Sequence, residues 1–107
     1  VSERLVVLST LGSAEDAERI ARELVERGLA ACVNVVPSVV SVYRWKGRVE
    51  RDEEKLLVIK TRRDRFEELR EAILRLHPYE VPEIVALPIE AGHAAYLAWL
   101  DETVASG

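Results

Sequence analysis

Two β-rich arms joined by a two-residue turn constrain this chain more than any other feature. Leu29 to Trp45 carries Val33, Val35, Val36, Val39, Val40, Val42, Tyr43 and Trp45, the residue types that fit a pleated, half-buried surface. Lys46-Gly47 reads as a tight turn, and Arg48 to Thr61 returns as the second arm, polar at first and apolar from Leu56 to Ile59. Each arm is roughly a dozen residues or more, about twice an ordinary strand. Pro37 interrupts the first arm. A proline cannot donate to a ladder, so it marks an edge, a bulge or a bend.

The flanking segments supply the rest of a small α+β unit. Leu5 to Leu11 is a short apolar run, expected as a strand buried on both faces. Ser13 is placed to cap a helix whose apolar residues Ala17, Ile20, Ala21, Leu24 and Val25 recur at helical spacing, with Gly28 as its left-handed terminator. Asp64 is the cap candidate for a second helix through Phe66, Leu69, Ala72, Ile73 and Leu76, ended by His77-Pro78. Tyr79 to Pro82 is a loop, and Glu83 to Ile89 a strand ending near Pro88. A third, shorter helix spans His93 to Val104, and the tail Ala105-Ser106-Gly107 is expected to fray. The order β-α-β-β-α-β plus a C-terminal helix is the ferredoxin-like, split βαβ pattern, and residues 1–107 form a single expected domain with no linker. The outer hairpin exceeds what two helices can cover. Its valines, Tyr43 and Trp45 would face water or another chain, which predicts self-association.

Composition excludes several classes of function. Fifteen basic against 19 acidic residues give a net charge of −4, unsuited to non-specific nucleic-acid binding. No apolar run approaches the ~20 residues that span a bilayer. Val1 to Leu8 shows no small-residue cleavage site, so no signal peptide is expected. Cys32 is the sole cysteine, which suits a reducing cytoplasm. Arginine outnumbers lysine 12 to 3, and Gln and Met are absent. That balance fits a thermophile, or a GC-rich genome.

Motifs for phosphate loops, dinucleotide turns and zinc sites are missing from the sequence. Cys32 reads first as a small buried hydrophobe, with metal ligation or nucleophilic chemistry as the alternatives. His77 stands at a helix C-terminus with Tyr79, Glu80 and Glu83 crowded into the same turn, and is the candidate ligand. His93 reads as a surface or capping residue. The acidic run Glu50, Asp52, Glu53 and Glu54 alternates with Arg48, Arg51 and Lys55 and is expected as an ion-paired, solvated edge. Arg62, Arg63 and Arg65, with Asp64 among them, are expected as another solvated face.

Taken together, the motifs Gly28-Leu29-Ala30-Ala31-Cys32-Val33-Asn34, Tyr43-Arg44-Trp45-Lys46-Gly47, Ile59-Lys60-Thr61, His77-Pro78-Tyr79-Glu80-Val81-Pro82-Glu83-Ile84 and Tyr96-Leu97-Ala98-Trp99-Leu100 make the chain resemble the CutA divalent-cation-tolerance proteins over essentially its full length. The resemblance implies a cytoplasmic homotrimer of ferredoxin-like subunits, similar in architecture to the PII signalling proteins, and a link to copper and other divalent metals. It implies copper ligation by a first-strand cysteine and a His-His pair before Pro-Tyr. Here Ser9 takes the cysteine's place and Leu76 that of the first histidine, so only His77 carries over. One imidazole is not a transition-metal site by itself. The expectation is therefore weak Cu²⁺ binding, or binding of another divalent cation, with no metal required for folding. A non-catalytic trimer is the leading reading, with no assigned small-molecule substrate, nucleic acid or membrane partner. The alternatives are an enzyme with an inter-subunit site using His77 as acid/base beside Glu80 or Tyr79, and a purely structural trimer.

Overall fold

The computed structural model describes residues 3–105; the expected fraying of Ser106-Gly107 lies outside them. The chain runs β1 (Arg4–Leu11), α1 (Ala14–Glu26), β2 (Cys32–Trp45), β3 (Arg48–Arg62), a 3-10 turn (Arg63–Arg65), α2 (Phe66–Leu76), β4 (Val85–Pro88) and α3 (Ala94–Thr103). The four strands form one antiparallel sheet in the order β2-β3-β1-β4. Each crossover helix joins strands separated by a third, as the split βαβ pattern requires.

Alternation along β1 decides where the core sits. Leu5, Val7, Ser9 and Leu11 are buried, while Val6, Leu8 and Thr10 are half-buried. The buried set packs with Leu57 and Ile59 against Ala17, Ile20 and Leu24 of α1 and Leu69, Ala72 and Ile73 of α2. The strand is therefore covered fully on its helix face only, which corrects the expectation of burial on both faces. The opposite face presents Val6, Leu8, Leu56 and Val58, joined at the edge by Val85 and Leu87, both about half exposed. One end of that face is closed by α3. Arg4 forms a two-pronged pair with the Asp101 carboxylate at 3.0 and 2.7 Å, and Arg62 donates to the carbonyls of Asp101 and Val104. Arg4 and Arg62 are cross-strand partners, so their side chains reach α3 from the same face.

Local chemistry explains the boundaries. Asp16 N–H donates to Ser13 Oγ at 3.2 Å, the expected N-cap. Gly28 sits at φ +70°, with Leu29 N–H bonded to the Leu24 carbonyl and Gly28 N–H to that of Val25, the double closure of a Schellman motif. Lys46 (φ +50°) and Gly47 (φ +79°) are both left-handed, as a two-residue hairpin turn of primed type demands. The ladder between β2 and β3 slips between Val36 and Val39, where Pro37 sits on the sheet's outermost strand.

Three further expectations need correction. Asp64 does not cap α2. The Arg62 guanidinium holds its carboxylate in a double hydrogen bond at 2.9 and 3.0 Å and keeps it below the usual carboxylate range. The helix instead starts from a 3-10 turn, with no side-chain cap at Arg65. Arg65, expected on a solvated face, is buried and pairs with Glu68 at 2.7 Å. The last strand is also shorter than the Glu83 to Ile89 span, because β4 pairs only with Leu5 to Leu8.

Candidate functional site

The hairpin outruns β1, whose last ladder partner is Lys55. Beyond that point its inner face is flanked by the loop that follows α2. Between them lies a groove of about 770 Å³, lined by Tyr43, Trp45, Asp52, Glu54, Tyr79 and Glu80 among others. Its aromatic walls come from both elements. Of its carboxylates, Asp52 and Glu54 come from alternate positions of β3, on the pleat face of Leu56, and Glu80 and Glu83 from the segment after α2.

His77 fixes the loop. It is the residue after α2, with extended backbone (φ −82°, ψ 134°) imposed by Pro78. Its ring is buried, 7% exposed. Nε2–H donates to the Thr10 carbonyl at 2.8 Å, and Nδ1 accepts from the Tyr79 amide at 3.1 Å. These partners define a neutral imidazole with the proton on Nε2. The ring also meets Tyr79 edge-on, centroids 4.7 Å apart. His77 therefore ties the first strand to the loop and orients Tyr79 over the groove.

Tyr79 reaches across to the hairpin. Its hydroxyl donates to Glu54 Oε2 at 2.6 Å. Burial, then that hydrogen bond and the Glu54 charge, raise the Tyr79 hydroxyl's pKa well above the ordinary tyrosine value. Tyr43 donates to Asp52 from within the hairpin, and this bond is the first cause of a Tyr43 pKa pushed up to about 12. Glu54 itself is only 4% exposed. At the mouth, Lys46 Nζ lies 4.0 Å from Glu80 and 5.6 Å from the Trp45 ring centroid.

The acidic run is thus not the ion-paired edge expected of it. Asp52 and Glu54 point at tyrosine hydroxyls, and among the described residues neither forms an ion pair. Cys32 is half-buried on the open sheet face beside Lys60, rather than a core hydrophobe. Its Sγ lies 3.9 Å from Asn34 Oδ1, and Lys60 also donates to that oxygen. The structure brings His77 and Tyr79 together, but no hydrogen bond joins Glu80 to His77 among the described residues. Ser9 is fully buried, its hydroxyl without a partner among the described residues. His93 is exposed and precedes α3 without a side-chain cap bond. Among the described residues, no three His, Cys, Asp or Glu side chains gather as a metal cluster. Tyr43, Asp52 and Glu54 were not singled out as one site by the sequence. The signal was there in part: Glu54 keeps the parity of Leu56 and Val58.

The sheet order, the long hairpin and the groove beside it define a ferredoxin-like fold with an uncovered apolar sheet face. Comparison with known proteins makes that class specific. The profile of the family described as "CutA1 divalent ion tolerance protein" matches residues 5–103, and the chain belongs to that family. The divalent-cation tolerance protein CutA of Thermus thermophilus is 56% identical over 97 residues, 91% of this chain and 94% of that protein. The chloroplastic CutA of Arabidopsis thaliana is 47% identical over 96 residues, but the chain spans only 53% of its length. The solved Thermus thermophilus structure superposes with a TM-score of 0.93 at 53% identity, covering 95% of this chain and 99% of that one. CutA1 from Oryza sativa superposes with a TM-score of 0.95 at 42% identity, covering 99% and 97%. No helix among the described residues is long and apolar enough to cross a membrane.

Proposed function

We propose that the chain acts as a non-catalytic, single-domain subunit of a homotrimer that serves divalent-cation tolerance in the cytoplasm, in a thermophilic host. Family membership over residues 5–103 is the observation that carries the tolerance role. The uncovered sheet face and the hairpin's exposed Val40, Val42 and Val49 support assembly with further copies.

The metal part of the proposal is weak Cu²⁺ binding through His77, with other divalent cations weaker still in the Irving–Williams order. No metal is needed for folding. The geometry at His77 supports the weakness. A cation must take Nδ1 from the Tyr79 amide, because Nε2 is committed to Thr10. It then finds no second imidazole beside it, since Leu76 precedes His77. Calorimetry of metal-free protein with Cu²⁺ tests this. Binding should be weak, and lost in His77→Ala. Copper affinity unchanged in His77→Ala would remove the assignment. Tight binding by the wild type would turn attention to Cys32.

A further inference from the structure

The groove between the hairpin and the loop after α2 contains a feature that the metal reading leaves unexplained. Glu54 is a carboxylate removed from water, and its hydrogen-bond partner is the uncharged Tyr79 hydroxyl. A buried carboxylate is costly unless a cation or several donors compensate it. Among the described residues no Lys, Arg or His pairs with Glu54. The groove's lining holds Asp52, Glu54, Glu80 and Glu83 and no basic side chain. Three aromatic rings, Tyr43, Trp45 and Tyr79, stand beside these carboxylates. A metal ion would not use the rings. An organic cation would, through their negative π faces. The chain's own Lys46 shows the same chemistry at the mouth, its ammonium over Trp45 and 4.0 Å from Glu80. The volume, about 770 Å³, lies in the range of small-molecule sites.

We propose that this groove binds a small organic cation of the alkylammonium or alkylguanidinium class. Its charged head sits against Glu54 and Asp52, and its alkyl part lies along Tyr43 and Trp45, which share their face of the hairpin. Tyr79, held by His77, sets the position of the Glu54 carboxylate. The site needs no metal, and none of the groups that contact the organic cation is the ligand assigned to copper.

The test is titration of metal-free protein, in its native assembly, with n-butylguanidinium and tetramethylammonium, and with n-butanol as the neutral control. Calorimetry should show saturable binding of the cations, about one per chain, and none of the alcohol. Tryptophan fluorescence should change with saturation in wild type and not in Trp45→Phe. Glu54→Gln keeps the shape and still accepts from Tyr79, and should lose about tenfold or more in affinity. Asp52→Asn, at the exposed end of the pair, should lose several-fold while leaving the assembly intact. His77→Ala, which abolishes the copper signal, should leave cation binding detectable. Absence of saturable binding overturns the proposal. So does equal affinity in Glu54→Gln, or equal binding of n-butanol. A structure of the assembly with an arginine or lysine of a neighbouring copy seated on Glu54 also overturns it, because the charge would then be satisfied within the protein.

Discussion

Single side chains in this fold carry measurable consequences. Ser9 occupies a core position on β1 with its hydroxyl unpartnered among the described residues, and an unsatisfied buried polar group costs about 1–3 kcal/mol. Ser9→Ala should therefore raise the free energy of unfolding by about 1 kcal/mol in denaturant titration. A loss of similar size would mean that the hydroxyl has a partner. The tyrosines offer a second test. All three, Tyr43, Tyr79 and Tyr96, are shifted above the ordinary value of 10.0. A group whose folded pKa is raised adds stability that is complete below its unfolded pKa and lost as pH climbs through the folded one. Stability should thus hold up to about pH 10 and fall above it. Tyrosinate absorbance should stay low in native protein at about pH 10, where unfolded chain is half ionised. Glu54→Gln should bring one tyrosine down in pH, because it removes the charge that opposes Tyr79 ionisation. Substantial tyrosinate in the native wild type at that pH would contradict the hydrogen bonds to Asp52 and Glu54.

At the level of elements, the helices and the hairpin were legible because their signals are local. Ser13, Gly28, Pro78 and Lys46-Gly47 each impose a dihedral or a hydrogen bond within a few residues of themselves. What was not legible depends on partners far along the chain. Asp64 looks like a cap until Arg62, itself pinned under α3, claims it. Cys32 looks like core until the β2–β3 register places it beside Lys60 on the open face. Tyr79 and Glu54 lie 25 residues apart and meet only because the loop folds over the hairpin. Gly28 links two elements directly. A Cβ there would meet Ala105 Cβ at 2.6 Å, and the Gly28 carbonyl accepts from Ala105 N–H at 2.9 Å. Gly28→Ala should cost about 1 kcal/mol for the left-handed backbone, plus the clash. Pairing it with Ala105→Gly should recover the clash and leave the backbone part. Equilibrium unfolding of both variants separates the two contributions. No loss in Gly28→Ala would show that neither constraint holds.

The whole chain is elongated, 43 × 25 × 22 Å with a radius of gyration of 14.2 Å, against about 13 Å expected for a compact chain of this length. The excess is the outer hairpin, whose exposed valines, Tyr43 and Trp45 lie far from the core. The proposed trimer predicts a particle about three times 12.1 kDa by light scattering at micromolar concentration. Val42→Asp should weaken that assembly by placing a charge among the hairpin's exposed valines. A stable, well-folded monomer would end the trimer proposal.

The turn at Lys46-Gly47 also orders events in time. It joins strands that are neighbours in sequence, so their ladder can zip from the turn within microseconds. The pairing of Leu5 with Pro88 closes a loop of about eighty residues and must wait for it. During synthesis the hairpin is complete long before the ribosome has delivered β4. The nascent chain therefore carries a finished, valine-rich ribbon whose sheet still lacks its last strand, and that interval is when it is most exposed to pairing with the wrong neighbour.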